Sequence, residues 1–415
     1  MISPVANSFT TDLHIAISRL RAVAAIALLA CAPPMHTRAE VPDHAAVAGL
    51  ETVDSLAATE YARDSIGSIT IGVVSGSDLV WTKSYGFADM GSRRLANRQT
   101  VYRIGSITKM FTGVMMHQLI ESGKVQLSDP ISRFLPEINQ VQGLSPGASL
   151  PTILQLATMT GGLAAEPGNQ MLFGTGPVSQ WESKVTSALA QTRYESVPGT
   201  RFSYSNIGYA ALAAALERAS GISYLKWQRE RILEPLQMHR TYFDLDKSIA
   251  SDLAVGYEVG QDGKINADGP ARELRDGRGY RVPIGCIFTT IDDLSRFVAF
   301  ELGHGPESVL PHARLDSAYS GIVATSQDLD VGYGLGFMAQ RRGDFLWLGH
   351  SGGVPGYTAM MYFDREYQLG VIVFRNATGG KARISRLAVD VLKMLIGAKI
   401  NAEEKERAAG QPTKP

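Results

Sequence analysis

Cysteine, net charge and long apolar runs are all scarce in this chain of 415 residues. The two cysteines, Cys31 and Cys286, exclude a scaffold stapled by several disulfides. Histidine and cysteine do not fall into zinc-binding spacings and H-E-x-x-H does not occur, so no structural metal is predicted. The 40 basic and 40 acidic residues balance, which argues against a nucleic-acid binder. The length suits one large bilobal unit or two smaller domains.

The beginning of the chain has the pattern of an export signal. Basic residues precede an apolar run, Ala22 to Ala30, which is too short to span a bilayer comfortably. Small and polar residues then lead to Ala39, so a signal peptide is predicted over 1–39. A second interpretation is a lipoprotein signal that ends before Cys31 and leaves this cysteine lipidated. Either interpretation predicts an exported protein that is periplasmic or secreted, and lipid-anchored in the second case.

Strand patterns lie at both ends of the remaining chain, and helix patterns fill its middle. Strands are predicted at 69–74, 79–87, 333–340, 345–348, 357–363 and 369–375. Helices are predicted at 45–63, 106–122, 152–159, 179–191, 206–219, 223–233 and 382–397. A stretch rich in glycine and charge, 260–282, is predicted to be a loop.

The simplest assembly of these elements is an α/β fold of the α+β type. One central antiparallel sheet is built from both ends and flanked by the terminal helices, and an inserted helical lobe forms a cleft with it. This domain is predicted over 45–398, with the α/β part at about 45–105 and 283–398 and the helical part at about 106–282. The polar tail, 401–415, is predicted to be disordered.

A serine followed three residues later by a lysine, Ser106 and Lys109, begins the first helix of the middle region. Helix N-termini have unpaired N–H groups and a positive dipole, and residues i and i+3 share a face. A serine hydroxyl needs a base beside it, and a lysine is such a base only if burial or another cation lowers its pKa. The alternative is a simple N-cap serine. Ser223 and Lys226 have the same spacing and are predicted to lie on a helical surface.

The second candidate motif is the one Y-x-N of the sequence, Tyr204-Ser205-Asn206. A tyrosine oxygen can relay a proton to a leaving group. The asparagine amide can donate to a substrate carbonyl and position the lysine. The alternative is a buried tyrosine followed by an asparagine that caps the helix beginning near Asn206.

The third candidate motif is H-S-G-G, from His350 to Gly353. Its glycines let a substrate backbone approach closely, and the N–H of Gly353 can form an oxyanion hole with that of Ser106. The alternative is a turn between strands. The segment also matches the G-x-S-x-G nucleophile elbow, which needs a histidine downstream of its serine. No histidine follows His350, so this interpretation is rejected.

Taken in order, the three segments resemble the S-x-x-K, Y-x-N and K/H-T/S-G motifs of the serine β-lactamase/penicillin-binding-protein superfamily. They are most similar to its class C β-lactamase, D,D-peptidase and esterase-like branch. The resemblance runs from about residue 45 to about 395 and implies a β-lactamase/transpeptidase-like fold. Further similar segments are 101–106, 197–206, 234–238 and 284–297.

One segment, Thr158 to Leu163, departs from the family pattern. Met159 stands where the family usually has a histidine, and Gly161 stands where it usually has a serine. We expect a local change in the helical lobe near the cleft. This departure weakens inference about the substrate more than inference about the mechanism.

The resemblance implies a serine hydrolase that works through an acyl-enzyme. Ser106 attacks the carbonyl, and Lys109 and Tyr204 share the general base and acid duties. The N–H groups of Ser106 and Gly353 hold the oxyanion. Water then releases the acyl group, and neither a metal nor an organic cofactor is needed.

The resemblance also implies which residues bind the substrate. Asn206 holds the substrate amide, while His350 and Ser351 line the strand side and contact a substrate carboxylate. The usual β-lactamase has a lysine where this chain has His350, and an unperturbed histidine is mostly neutral at pH 7. We therefore expect a less strict demand for a substrate carboxylate and no potent β-lactamase activity.

Several acyl substrates fit the same machinery, and the sequence does not choose among them. They include D-Ala-D-Ala-type peptides, D-amino-acid amides, small esters and β-lactams. The alternative function is a catalytically silent, penicillin-binding-like sensor that uses the same cleft, but the complete motif set favours the enzyme. The expected partner is a small-molecule or short-peptide substrate, with no nucleic acid and no obligate protein partner inferred.

Overall fold

The two β-rich ends of the chain meet in one antiparallel sheet. The computed structural model describes residues 49–245, 247–319, 323–324, 331–343 and 345–410. Both predicted export signals, over 1–39 and at Cys31, lie outside these residues. The strands are β1 (Ser68–Ser75), β2 (Asp78–Asp89), β3 (Arg94–Leu95), β4 (Tyr102–Arg103), β5 (Tyr257–Val259), β6 (Ile265–Asn266), β7 (Phe288–Thr289), β8 (Val323–Ala324), β9 (Val331–Tyr333), β10 (Met338–Arg342), β11 (Phe345–Val354), β12 (Tyr357–Asp364), β13 (Leu369–Arg375) and β14 (Ala377–Thr378).

Strand order shows how the ends are joined. Nine strands of the described part form the main sheet in the order β3-β2-β1-β13-β12-β11-β10-β9-β8, and every neighbouring pair is antiparallel. The junction lies between β1 and β13, where Ile69 pairs with Arg375 and Ser75 with Leu369. Three strands, β14-β5-β6, form a small second sheet, and β4 pairs with β7. The predicted central antiparallel sheet is thus confirmed.

Helices cover the sheet and build the lobe beside it. The α-helices are Leu50–Ala62, Thr108–Glu121, Ile153–Ala157, Gln170–Phe173, Trp181–Leu189, Asn206–Ser220, Tyr224–Gln228, Lys247–Ala250, Asp268–Asp276, Val282–Gly285, Ile291–Ala299, His312–Ala318 and Ile384–Gly410. Tighter 3-10 turns are Gly105–Ile107, Ile131–Arg133, Pro136–Gln140, Val178–Gln180 and Gly279–Arg281, and π-turns are Arg229–Leu233 and Phe300–His304. In the described chain, none of the helices has the length and apolarity required to cross a membrane.

Two apolar layers lie on opposite faces of the sheet because central strands such as β13 have buried apolar residues on both faces. The two terminal helices are Leu50–Ala62 and Ile384–Gly410. In β13, Val371 and Val373 pack beneath them, whereas Ile372 and Phe374 face the larger core. Alternate residues of a strand point to opposite faces, so a strand covered on both faces is apolar throughout. The terminal helices flank one face as predicted, and the helix Ile291–Ala299 packs on the other.

Two predicted elements near the cleft differ in the structure. The strand predicted at 333–340 is interrupted, because β9 ends at Tyr333 and β10 begins at Met338. Gly336 has φ +109, a value that favours glycine, and it turns the chain between the two strands. The loop predicted at 260–282 contains the helix Asp268–Asp276, whose Ala-Arg-Glu-Leu-Arg run is rich in helix-forming residues.

The predicted disorder of the tail, 401–415, is wrong for residues 401–410. The last helix continues to Gly410. Its final turns read Asn-Ala-Glu-Glu-Lys-Glu-Arg-Ala-Ala, and these polar residues have high helix propensity once a packed helix precedes them. Polarity of a segment therefore did not indicate disorder here. Residues 411–415 lie outside the described part.

Candidate active site

Glycines bring strand β11 against the turn that carries Ser106. This serine lies in the 3-10 turn Gly105–Ile107, which runs directly into the helix Thr108–Glu121. Gly105 has φ +52, and a Cβ on it would lie 2.6 Å from the backbone nitrogen of Gly353. A Cβ on Gly352 would collide with the carbonyl oxygen of Ile104. Only glycines permit this approach, which places Gly353 beside the Ser106 turn, where the sequence predicts an oxyanion hole.

Lys109 is fully buried one helical turn after Ser106, on the same side of the helix. Its Nζ donates hydrogen bonds to Ser106 Oγ at 3.1 Å and to Asn206 Oδ1 at 2.9 Å. A third bond, of 3.2 Å, reaches the carbonyl oxygen of Ile284. The three acceptors fix the amine against the serine oxygen, as a base for that serine requires.

Burial lowers the pKa of Lys109 from 10.5 to about 7. The carboxylate of Glu166 opposes this shift, and the guanidinium of Arg278 adds to it. Arg278 donates to the carbonyl oxygen of Gly285 at 3.3 Å, next to the Ile284 carbonyl that Lys109 uses. The two basic side chains therefore donate hydrogen bonds to consecutive carbonyl groups. At neutral pH a large fraction of Lys109 is the free amine that can accept a proton.

Tyr204 lies over the same group of atoms. Its hydroxyl shares a hydrogen bond with the side chain of Ser106, and Lys109 Nζ lies 4.9 Å from the centre of its ring. Burial raises the pKa of Tyr204 to about 12, so it is a neutral phenol that can donate a proton. The following helix is capped by Ser205, whose Oγ accepts from the N–H of Gly208 at 3.0 Å. Asn206 is therefore not the cap, and its amide is available to the site.

The amide of Asn206 joins Lys109 to the carboxylate of Glu166, a residue that lies outside the three sequence motifs. Its Nδ2 donates to Glu166 Oε1 at 2.6 Å, while its Oδ1 accepts from Lys109. Glu166 Oε2 accepts from the Tyr280 hydroxyl and lies 3.7 Å from Arg281 Nη2. One sequence signal was available, because Glu166 is the single charged residue between positions 138 and 181.

His350 is placed behind Tyr204 and is only 2% exposed. Its Nδ1 lies 2.5 Å from the carbonyl oxygen of Ser351, and a carbonyl only accepts, so Nδ1 carries the hydrogen. Its Nε2 lies 3.1 Å from the Tyr333 hydroxyl, which then donates to it. Burial, with a smaller effect of the Lys109 charge, lowers the pKa of His350 to about 3. The ring is therefore neutral across the physiological range.

The side chain of Ser351 is not brought to the nucleophile. Its hydroxyl shares a hydrogen bond with Tyr362, which belongs to the apolar layer beneath the terminal helices. Neighbouring residues of a strand face opposite sides, so His350 and Ser351 cannot both face the helical lobe. The structure groups five of the sequence-predicted site residues: Ser106, Lys109, Tyr204, Asn206 and Gly353.

Met159, the main departure from the family pattern, lies directly under the Tyr204 segment. It is buried and has φ +58, which is uncommon for a side chain of this size. Its carbonyl oxygen accepts from the N–H of Ser203 at 2.8 Å, and its Sδ lies 3.5 Å from the backbone nitrogen of Ser205. The local change expected here therefore falls in the residues that support Tyr204, one layer behind the cluster of Ser106, Lys109 and Tyr204.

An antiparallel sheet beside a helical lobe, with a Ser-Lys-Tyr cluster built on a buried lysine, defines a serine β-lactamase/penicillin-binding-protein superfamily protein. The family model described as Beta-lactamase matches residues 53–393. This chain therefore belongs to the beta-lactamase family, and the resemblance found in the sequence is confirmed.

Relatives and solved structures agree with this assignment. Beta-lactamase-like protein 2 of Dictyostelium discoideum is 28% identical in an alignment of 330 residues that covers 77% of this chain and 58% of that protein. Protein flp of Staphylococcus aureus strain MW2 is 23% identical over 79% of this chain and 63% of its own length. The chain thus spans less than two thirds of the length of these curated relatives.

Two solved structures have similar folds. The octameric penicillin-binding protein homologue from Pyrococcus abyssi is 26% identical, with a TM-score of 0.69 over 84% of this chain and 77% of that one. The D-amino acid amidase from Ochrobactrum anthropi SV3, solved with L-phenylalanine amide, has a TM-score of 0.69 over 85% of this chain and 99% of that one. It is 19% identical, so it shows a shared fold alone.

Proposed function

We propose that the protein is a serine hydrolase that cleaves an amide or ester through an acyl-enzyme on Ser106. The observation that carries this proposal is the buried Lys109 amine, bonded to Ser106 Oγ at 3.1 Å and with its pKa lowered to about 7. A base in this position and with this pKa is what a serine nucleophile needs at neutral pH.

In the acylation step, the free amine of Lys109 takes the proton of Ser106, and Oγ attacks the substrate carbonyl carbon. The N–H groups of Ser106 and Gly353 receive the developing oxyanion. Tyr204 donates its hydroxyl proton to the leaving amine or alcohol, the bond to the leaving group breaks, and the Lys109 ammonium returns a proton to Tyr204. The Asn206 amide keeps its second N–H for the substrate, since its first is bonded to Glu166.

In the deacylation step, water attacks the ester carbonyl of the acyl-enzyme. The free amine of Lys109 takes one proton of this water, and the acyl–oxygen bond to Ser106 breaks. Oγ recovers its proton from Lys109, and the carboxylic acid leaves. The net reaction consumes one water, and every group of the protein returns to its starting protonation state.

The neutral His350 bears on the class of substrate. Its position in the third motif is the one that holds a lysine in the usual β-lactamase, and here the ring is buried and bonded to Tyr333. A substrate carboxylate would gain no ion pair from it. We therefore favour uncharged amides and small esters over penicillins.

The test is covalent labelling followed by intact-protein mass spectrometry and peptide mapping. We expect a fluorophosphonate probe to add once, on Ser106, and to leave Ser106→Ala unlabelled. Ser223→Ala is the matched control, because Ser223 and Lys226 repeat the S-x-x-K spacing outside the site. Labelling elsewhere, or no labelling of the wild type, would contradict the proposed nucleophile.

A second comparison tests the substrate class. We expect kcat/KM for p-nitrophenyl acetate to exceed kcat/KM for nitrocefin, and penicillin to acylate Ser106 slowly. Rapid nitrocefin hydrolysis would show that a carboxylate-bearing substrate is well bound without a cation at residue 350. Binding of penicillin without any covalent adduct or turnover would favour the silent sensor instead.

A further inference from the structure

The Asn206 amide lies between the amine of Lys109, which donates hydrogen bonds, and the carboxylate of Glu166, which accepts them. Lys109 Nζ lies 2.9 Å from Oδ1, and Glu166 Oε1 lies 2.6 Å from Nδ2. A carboxylate accepts hydrogen bonds and donates none, so only Nδ2 can face Glu166. Were the amide rotated by half a turn, its oxygen would face the carboxylate oxygen, and two acceptors would repel each other.

This orientation matters because the catalytic form of Lys109 is the neutral amine. A neutral amine has a lone pair, and a rotated Asn206 would donate an N–H to that lone pair. The lone pair that must take the Ser106 proton would then be occupied. The contact with an ammonium ion would prevent this rotation, but that contact weakens when the base becomes active.

We propose that Glu166 is a positioning residue that locks the Asn206 amide with its oxygen toward Lys109 and so keeps the lysine lone pair free for Ser106. This inference rests on the proposed function, since it concerns the same base. It also gives a reason for a carboxylate at this point of the lobe, beside a lysine that must lose its charge. The Glu166 side chain is 23% exposed.

Glu166 is itself held in place by residues of the turn Gly279–Arg281. Tyr280 is fully buried and donates its hydroxyl to Glu166 Oε2, and Arg281 lies 3.7 Å from the same oxygen. Gly279 has φ +51, and a Cβ on it would collide with the carbonyl oxygen of Phe173. This close backbone contact fixes the turn against the segment that follows Glu166, so the carboxylate has little freedom to turn away.

Other ionisable groups also face Lys109, and they define the background of any pH measurement. They come from four further elements. Tyr204 precedes the helix Asn206–Ser220, Tyr209 lies in that helix, Arg278 precedes the turn Gly279–Arg281, and His350 lies in β11. The pKa values of Tyr204 and His350 lie at about 12 and about 3, far from that of Lys109. Glu166 is therefore the acidic neighbour whose removal is read directly in the titration of Lys109.

The test compares wild type with Glu166→Gln, using p-nitrophenyl acetate turnover from pH 5 to 9. Glutamine can donate to the Asn206 oxygen, so the rotated amide becomes allowed. We expect kcat to fall about tenfold to a hundredfold, the range for one charge-assisted hydrogen bond, with a smaller change in KM. We also expect the acidic limb of the profile to move to lower pH, because the charge that raises the pKa of Lys109 is lost.

Glu182→Gln is the matched control. Glu182 is 28% exposed, lies in the same lobe and is paired with an arginine, Arg218, but it does not contact Asn206. It should leave kcat and the acidic limb unchanged. Glu166→Asp keeps the charge and shortens the side chain by one methylene, so we expect a smaller loss of kcat and an unshifted limb. This variant also serves if Glu166→Gln does not fold.

The outcomes separate this inference from the proposed function. If wild type is labelled by the fluorophosphonate on Ser106, but Glu166→Gln has wild-type kcat and an unshifted limb, the positioning role is wrong and the hydrolase stands. Wild-type kcat in Glu166→Asp also overturns it when Glu166→Gln is unfolded. Equal losses in Glu182→Gln would show a general effect of charge removal. If wild type is not labelled, both proposals fail together.

Discussion

Lys109 and His350 are two buried bases near the ring of Tyr204, and they differ in the pKa that each has as a free side chain. Burial lowers both pKa values, to about 7 for Lys109 and to about 3 for His350. The negative charge of Glu166 lies near Lys109, and its attraction opposes the loss of the lysine proton. The main acceptor of His350 is the Ser351 carbonyl, which raises its pKa less than burial lowers it.

Both pKa values fall by about the same amount, from 10.5 for Lys109 and from 6.5 for His350, so the type of side chain decides which of the two can exchange a proton near neutral pH. His350 is no more buried than Lys109, but an imidazole begins from a lower pKa, so it stays neutral at all working pH values and cannot hold a proton that it would accept. For Lys109, the nearby carboxylate opposes part of the effect of burial, and the pKa of about 7 lets the amine both take and release a proton. The helical lobe thus contains both Lys109, on the helix Thr108–Glu121, and Glu166, the carboxylate that raises the pKa of this lysine.

Replacing each base in turn gives the largest expected effect. Lys109→Met keeps a similar side-chain shape and removes the amine, so we expect kcat/KM to fall about 10²- to 10⁴-fold, the usual range for a general base. His350→Gln retains an oxygen that can accept from Tyr333 and should lose about tenfold or less. Steady-state kinetics with p-nitrophenyl acetate measures both. Equal losses would remove the distinction between the two bases.

The second expected effect concerns stability at alkaline pH. Lys109 has a pKa of about 7 when folded and 10.5 as a free side chain, so between these values the unfolded chain binds the extra proton. The free energy of unfolding of wild type therefore rises with pH in this window, by about 1.4 kcal/mol per pH unit for one proton. Lys109→Met should lack this contribution. Urea unfolding of both proteins at pH 7, 8 and 9 measures the difference, and parallel curves would contradict a buried, depressed lysine.

The third expected effect is the pH profile of catalysis. Protonated Lys109 cannot accept the Ser106 proton, so kcat/KM should fall about tenfold per pH unit below a midpoint near 7. Tyr204, with a pKa of about 12, should give no descending limb below pH 10. His350→Gln should retain the midpoint near 7. A midpoint that disappears in His350→Gln would mean that the histidine titrates in the mechanism.

How much of the site was predictable depends on whether a residue sits in a motif or in a connecting loop. Ser106 lies in the turn that leads into the helix of Lys109, three residues before it, and Asn206 begins a helix that Ser205 caps, so motif and helical spacing indicated both positions. Glu166 lies in an irregular segment and Tyr280 in the short 3-10 turn Gly279–Arg281, and neither segment is long enough to have a periodic pattern in the sequence. Their meeting depends on how two distant loops pack, and only the isolated charge at residue 166 indicated a role.

Strand residues show the opposite lesson, because a simple rule was available and decides the case. Alternation along β11 places His350 and Ser351 on opposite faces, so assigning both to one substrate group was inconsistent with a strand. The sheet itself was well predicted, since its strands have apolar residues on both faces. The break between β9 and β10 was missed because Gly334 and Gly336 were read as part of one strand.

The smallest expected effect isolates His350 at acid pH. Its pKa is about 3 when folded and 6.5 as a free side chain, so between these values the unfolded chain binds more protons. Wild type should therefore lose stability as pH falls below about 6.5, and His350→Gln should lose less, by about 1.4 kcal/mol per pH unit. Glu301 and Asp364 are buried carboxyls whose pKa values are raised to about 7 and about 6, so they titrate in or near this window in both proteins. The difference between the two unfolding curves at pH 6, 5 and 4 cancels their contribution. Curves that stay parallel would mean that the His350 ring is hydrated or protonated in the folded protein. It would then be available to a substrate carboxylate, and the contrast with Lys109 would be lost.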